Sequence, residues 1–142
     1  MTKFMQWSDS YSVGVKQLDD EHRQLLDLVS QAMETIVSRA PAQRVAGRID
    51  EIASLTRQHF AAEERLMEQT SYRELERHRA EHRSLLEQIS KAKENYAHGA
   101  ISAVDLCTTL AHWLLDHIAQ SDKPFAEHFN KSGAEAQASP RR

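Results

Sequence analysis

The chain has 142 residues, of which 27 % are charged, and it carries a formal net charge of −3. This length suits one domain with a real core, and four Gly and three Pro with few aromatic residues are typical of a helical protein. Because no basic surplus creates a long-range attractive field, we expect no nucleic-acid partner.

The expected compartment follows from features that the sequence lacks. Cys107 is the single cysteine, which excludes an intrachain disulfide framework. The first residues, Met1 to Trp7, lack the apolar run of a signal peptide, and no window is apolar enough to span a membrane. We therefore expect a cytoplasmic protein with no membrane association.

The amino-terminal arm, residues 1–17, has mixed polarity and includes Gly14 and the aromatic residues Trp7 and Tyr11. It is predicted to be extended and to pack its aromatic side chains onto the rest of the chain. Acidic residues 19–21 then mark a helix start, where they face the positive end of the helix dipole. The core-facing stripe of this first helix is Leu18, His22, Leu25, Leu26, Val29, Met33, Ile36 and Val37. Pro41 is predicted to end it, because proline cannot continue the hydrogen-bond ladder.

Three more amphipathic helices follow. The second is predicted over residues 42–68 and the third over residues 72–97, with a turn between them at the weak helix formers 69–71. Ser102 caps a fourth helix, and Pro124 is predicted to end it. Four such helices with short connections predict an all-α, up-down-up-down four-helix bundle with an extended amino-terminal arm. We assign the domain to residues 1–130 and expect residues 131–142 to form a mobile tail.

Two pairs of metal-binding side chains stand out on the second and third helices. His59 and Glu63 are four residues apart, as are His78 and His82, so each pair lies on one helix face. Such pairs also arise by chance on solvated faces. These two fall within the core-facing stripes, where unpaired imidazoles and carboxylates are costly to bury and a shared metal would satisfy them.

Three further donors lie on predicted inner faces: His22, His117 and Asp122. A lone histidine at such a position is more often a hydrogen-bonded core residue than a ligand. The seven donors together are too many for one tetrahedral zinc, whereas two metals bridged by both carboxylates would use them all. Nitrogen and oxygen donors without thiolate suit iron, manganese or zinc, so the composition indicates a di-metal site without choosing the metal.

The spacing of the last two donors is incompatible with a regular helix. His117 and Asp122 lie five residues apart, which turns their side chains about 140° away from each other at 3.6 residues per turn. We therefore predict a wide π-like turn between them, a helix end near Pro124, or a metal pair that spans both directions.

Several segments together resemble the bacterial hemerythrins. They are Trp7 with Tyr11-Ser12-Val13-Gly14-Val15 and Leu18-Asp19-x-x-His22, then His59-Phe60-x-x-Glu63-Glu64-x-x-Met67, His78-x-x-x-His82, and Trp113-Leu114-x-x-His117-Ile118-x-x-x-Asp122. The resemblance extends from the arm to Phe125. Ser71 and Arg73 depart from it, since the family often has Gly and Pro in this turn, but neither position is a donor.

The resemblance implies a non-haem di-iron centre that binds O2 reversibly, in a carrier, store or scavenger and not in an enzyme. In that case His78, His82 and His117 hold one iron, and His22 and His59 hold the other. Glu63, Asp122 and a solvent-derived oxygen bridge the two irons. The second iron keeps one open position, where O2 binds.

Leu114 lies three residues before His117 and is expected to wall the O2 pocket, the alternative being ordinary core packing. Two other functions remain open: O2 or redox sensing through a protein partner, and an enzyme acting on peroxide or nitric oxide. No histidine has Glu three residues before it, unlike the Glu-x-x-His pairs of ferritin-like oxidases, and this favours O2 binding. The recipient protein and the oligomeric state are left open.

Overall fold

A computed structural model describes residues 6–138 of the chain. A short 3₁₀ turn at Asp9–Tyr11 precedes four helices, which we name α1 (Lys16–Val37), α2 (Ala42–Gln69), α3 (Leu75–Ala97) and α4 (Ala103–His117). A π-helical turn, Ile118–Asp122, joins α4 directly to α5 (Lys123–Ala138). The described residues contain no strand, so the predicted all-α class is confirmed.

The helices form the predicted four-helix bundle. Helix α1 packs against α2 and α4, and α3 packs against the same two helices, so the four enclose one interior. Connections of four or five residues link consecutive helices, which forces neighbours to run in opposite directions. Ser102 caps α4 as predicted, since its hydroxyl accepts a hydrogen bond from the backbone N–H of Asp105 at 3.1 Å.

The bundle has two apolar clusters, one above the other along the helix axes. The larger includes Leu25, Ile52, Ile89 and Leu114, each from a different helix. The smaller contains Val13, Val15, Leu18, Met67, Ile118, Phe125 and Ala126. On every helix the predicted metal donors lie between a residue of one cluster and a residue of the other. The donors therefore occupy a polar layer enclosed by hydrophobic side chains.

The amino-terminal arm packs onto the end of the bundle that holds the smaller cluster. Val13 and Val15 are buried there, and Trp7 lies under the guanidinium of Arg23 at 4.8 Å, as expected for its aromatic residues. Asp19 anchors the arm by accepting hydrogen bonds from the Ser12 hydroxyl at 2.6 Å and from the Val13 N–H at 2.8 Å. Met1–Met5 of the arm lie outside the described residues.

The predicted end of the fourth helix at Pro124 is wrong. Pro124 is the second residue of α5, and the helix continues as far as Ala138, through the first part of the predicted tail. Proline is tolerated there because the π turn widens the backbone just before it and the first turn of a helix does not need its N–H. Residues 139–142 lie outside the described residues, and the mobility of the tail stays a prediction.

One residue of the predicted first stripe is not in the core. Val37 is 71 % exposed, because it is the last residue of α1 and the chain turns away beyond it at Arg39, which has a positive φ of 60°. Across residues 6–138, no helix is both long and apolar enough to cross a membrane.

Candidate metal centre

All four helices of the bundle contribute to one buried cluster of donors. Helix α1 provides His22, α2 provides His59 and Glu63, α3 provides His78 and His82, and the fourth helix provides His117 and, at the end of the π turn, Asp122. None of the seven side chains is more than 7 % exposed. The structure thus brings together every donor that the sequence singled out.

The donors form two groups that share both carboxylates. One group contains Glu63, His78, His82, His117 and Asp122, and the other contains His22, His59, Glu63 and Asp122; within each group the ligand atoms lie within 4.8 Å of one another. The first group has three imidazoles and the second has two. Two adjacent cations bridged by both carboxylates would use every donor of the two groups.

The two oxygens of each carboxylate are divided between the groups. Oε1 of Glu63 lies 2.8 Å from Nε2 of His78, whereas Oε2 lies 3.8 Å from Nε2 of His59. Asp122 is arranged alike: Oδ1 lies 3.1 Å from Nε2 of His117, and Oδ2 lies 2.9 Å from Nε2 of His22. Each carboxylate can therefore offer one oxygen to each of two ions.

Several of these atoms lack a hydrogen bond of normal geometry although they are fully buried. They are both ring nitrogens of His22, Nε2 of His59, Oε2 of Glu63 and both carboxylate oxygens of Asp122. Buried polar atoms without a hydrogen bond are rare and costly, so a cluster of them around two carboxylates calls for a ligand. Cations coordinated by nitrogen and oxygen would satisfy it, and the absence of thiolate from the set suits iron, manganese or zinc.

The charges of the site are strongly coupled. Burial alone would lower the pKa of His78, but the carboxylates of Asp122 and Glu63 raise it to about 9. Burial alone would raise the pKa of Asp122, yet the neighbouring imidazoles of His117, His22 and His78 hold it well below its usual value. The site therefore favours a carboxylate that is ionised and surrounded by positive charge, as in a metal centre.

Two carboxylates outside the donor set contact the far side of the imidazoles. Glu21 of α1 lies 2.5 Å from Nδ1 of His59, and Glu64 of α2 lies 2.7 Å from Nδ1 of His82. Such contacts leave Nε2 of each ring facing the carboxylates of the site and fix the ring orientation. Neither role is predicted from the sequence, in which Glu21 stands out only as a favourable charge at a helix start.

The backbone irregularity expected near Asp122 is a π turn, which confirms that prediction. The N–H of Lys123 donates to the carbonyl of Ile118, five residues back, so residues 118–122 take the wider winding. The hydroxyl of Ser121 donates to Oε2 of Glu81 at 2.5 Å and ties this turn to α3. The wider winding brings Asp122 onto the same side as His117.

An apolar wall borders the donors on one side. The ring of Phe60 stacks on the imidazole of His82, with a centroid distance of 3.7 Å and an interplanar angle of 4°. Phe60 and Leu114 also line a small cavity of about 10 Å³. Its one hydroxyl, that of Thr56, already donates to the carbonyl of Ile52 at 2.7 Å. This side of the site therefore offers water few polar partners.

Comparison with known proteins agrees with this geometry. Residues 13–128 match the family described as "Hemerythrin HHE cation binding domain". The chain is similar to the bacteriohemerythrin of Stenotrophomonas maltophilia strain R551-3, with 28 % identity over 138 residues that cover 93 % of this chain and 88 % of the relative. It is also similar to the myohemerythrin of Riftia pachyptila, with 28 % identity over 116 residues that cover 82 % and 86 % of the two chains.

A solved structure has the same fold. The crystal structure of a wild-type hemerythrin superposes with a TM-score of 0.79 and 23 % sequence identity, covering 89 % of this chain and 98 % of the other. The match of the family over 13–128 spans all seven donors and both apolar clusters. The chain therefore belongs to the hemerythrin family.

Proposed function

We propose that this chain binds O2 reversibly at a di-iron centre. His78, His82 and His117 would hold one iron, His22 and His59 the other, and Glu63 and Asp122 would bridge them. The observation that carries the proposal is the division of each buried carboxylate between two groups of imidazoles. Membership of the hemerythrin family supports iron as the metal.

The protein's own part is to hold the ions, leave one position free and keep the site dry. A ferrous pair held there would supply the electrons that O2 binding draws on. The group of His22 and His59 offers one imidazole fewer than the other, so the ion in it has fewer protein donors and room for a small ligand. Phe60 and Leu114 present carbon and not polar atoms on one side of the layer, which keeps water and protons away from bound O2.

The donor chemistry favours O2 binding over oxidative catalysis. Five imidazoles and two carboxylates form the set, whereas ferritin-like di-iron oxidases use carboxylate-rich sets with Glu-x-x-His pairs. All seven donor side chains are also at most 7 % exposed, which leaves little room for a bulky substrate between them. Small diatomic molecules are therefore the ligands that fit, and we propose a carrier, store or scavenger of O2.

The test is metal analysis followed by spectroscopy. Protein produced in iron-replete medium should contain two irons per chain, and its absorption spectrum should change and recover through repeated cycles of air and argon. One metal per chain would overturn the di-iron centre. Zinc at full occupancy, or a spectrum that changes irreversibly on the first exposure to air, would overturn reversible O2 binding.

A further inference from the structure

Glu21 is the nearest charged residue outside the donor set to the group with two imidazoles. Its Oε1 lies 2.5 Å from Nδ1 of His59, and it directly follows Asp20 and precedes His22 in α1. Helix α1 therefore provides one donor, His22, and also the carboxylate that orients the second imidazole of the same group. The Glu21 side chain is 26 % exposed, whereas that of His59 is 2 % exposed.

The environment of Glu21 leaves its charge uncompensated by a second cation. Among the residues that the structure describes, its ion-pair partner is His59, and its other hydrogen bond comes from the neutral amide of Gln17 at 3.3 Å. A surface groove of about 520 Å³ between α1 and α2 is lined by Glu21, His59, Gln58 and Arg65. At the edge of this groove, Glu21 therefore acts on His59 as a full carboxylate.

The corresponding contact in the other group is weaker. Glu64 lies 2.7 Å from Nδ1 of His82, but its Oε1 also lies 3.4 Å from Nε of Arg79, a guanidinium that Glu64 shares with Glu68 at 3.0 Å and Glu76 at 2.6 Å. A carboxylate that faces a guanidinium has less electron density to give to an imidazole N–H. His82 is moreover one of three imidazoles in its group, whereas His59 is one of two, so any change at His59 affects a larger share of the neutral donors.

We propose that Glu21 is a positioning residue that orients His59 and strengthens it as a metal donor. Glu21 thereby stabilises the ferric state of the ion held by His22 and His59. This effect is larger than that of Glu64 on the ion held by the other group. The inference rests on the proposed di-iron function. Its physical basis is that a carboxylate accepting the Nδ1 proton makes the ring more basic at Nε2, which favours the more highly charged ion.

Three variants test the inference: Glu21→Gln, Glu21→Ala and Glu64→Gln. Gln keeps the shape and the acceptor oxygen of Glu but removes the charge. Glu21→Ala also removes the acceptor, so iron affinity should fall by roughly 10–100-fold, the usual effect of losing such an outer partner. Glu64→Gln is the matched control at the other position.

The decisive measurement is the midpoint potential of the iron-loaded protein, followed through its absorption spectrum. Glu21→Gln should lower the ratio of ferric to ferrous affinity about tenfold, which raises the one-electron potential by about 59 mV. Glu64→Gln should shift it by a clearly smaller amount. If Glu21 had a merely structural role, the potential of Glu21→Gln would equal that of the parent protein.

Each outcome separates the two proposals. If the parent protein does not retain two irons, the proposed function fails and the inference fails with it. If the parent retains two irons but Glu21→Gln has the parent's potential, or Glu64→Gln shifts it as much or more, only the inference is overturned. Helical circular dichroism confirms folding, and if Glu21→Ala does not fold, the isosteric Glu21→Gln decides the question.

Discussion

Leu114→Ala tests whether the apolar wall protects the site. Leu114 is 7 % exposed and lines the small cavity together with Ile52, Phe60 and Trp113. Shortening it to Ala removes three carbon atoms from the wall and enlarges the cavity towards the donor layer. A purely apolar cavity would stay dry, but this one would border the imidazoles beyond Phe60, which give a water molecule polar partners.

The substitution should also destabilise the fold. Removing a buried Leu side chain costs roughly 2–5 kcal/mol, because the transfer free energy is lost and the cavity collapses only in part. For a chain of this size, each kcal/mol lowers Tm by about 2–4 °C, so we expect a decrease on the order of 10 °C. The two proteins must therefore be compared at a temperature where both are fully folded.

The assay is the rate of irreversible oxidation of the oxygenated protein in air. Leu114→Ala should oxidise faster than the parent, with an unchanged spectrum before O2 is added, because no donor is altered. Leu106→Ala is the matched control: Leu106 is fully buried in the same helix but does not line the cavity. Equal oxidation rates in all three folded proteins would show that Leu114 is only a core residue.

Three further predictions concern the donor layer. His82→Ala should reduce iron retention and decrease the difference in Tm between the iron-loaded and the stripped protein, because iron that binds only the native state stabilises that state. An undiminished difference in Tm would exclude His82 as a ligand. Ser121→Ala should cost about 1 kcal/mol and lower iron retention by freeing the π turn from Glu81, whereas Thr108→Ala, whose hydroxyl bonds within α4, should leave retention unchanged. In the stripped protein, the pKa of His78 is raised from 6.5 to about 9, so its protonated ring stabilises the fold below pH 6.5 and this contribution is lost as the pH rises through 9. Between pH 6.5 and 9, urea unfolding should show the free energy of unfolding decrease by up to about 1.4 kcal/mol per pH unit. His78→Gln should remove this decrease, whereas the exposed control His112→Gln should keep it.

The helices and the donors could be predicted because local rules govern both. Helix α2 begins at Ala42 and α3 ends at Ala97, as predicted. Helix α1 begins at Lys16, within the predicted extended arm, and α3 begins at Leu75, three residues after its predicted start. The apolar stripes that place His59 and His78 in the bundle interior depend only on helical periodicity. They can therefore be predicted without knowing which helices pack against them. Grouping the donors into two sites came from the family resemblance, and the geometry now gives the same grouping.

The outer carboxylates could not be predicted, because they act between helices. Residues 19–21 form one acidic run in the sequence, but each has a separate role: Asp19 anchors the arm, Asp20 pairs with Lys16, and Glu21 contacts His59 of α2. Which of three neighbouring acids reaches a histidine 38 residues away depends on how α1 and α2 are rotated against each other. Periodicity fixes the buried face of one helix and leaves that relative rotation undetermined.

Helical periodicity alone does not reveal the π turn through which the fourth helix continues past Pro124. The stripe of Leu110, Leu114 and His117 would continue on a regular helix at residues 121 and 124. The structure buries Ser121, but it also buries Asp122, Phe125 and Ala126 and leaves Pro124 exposed, because the π turn shifts the buried face by one residue. A one-residue shift followed by proline is indistinguishable from a helix end when only the 3.6-residue repeat is considered. A π turn is one of three ways to reconcile the five-residue spacing of His117 and Asp122. With that turn in place, Phe125 and Ala126 fall in phase with Asp122 and pack α5 on the bundle.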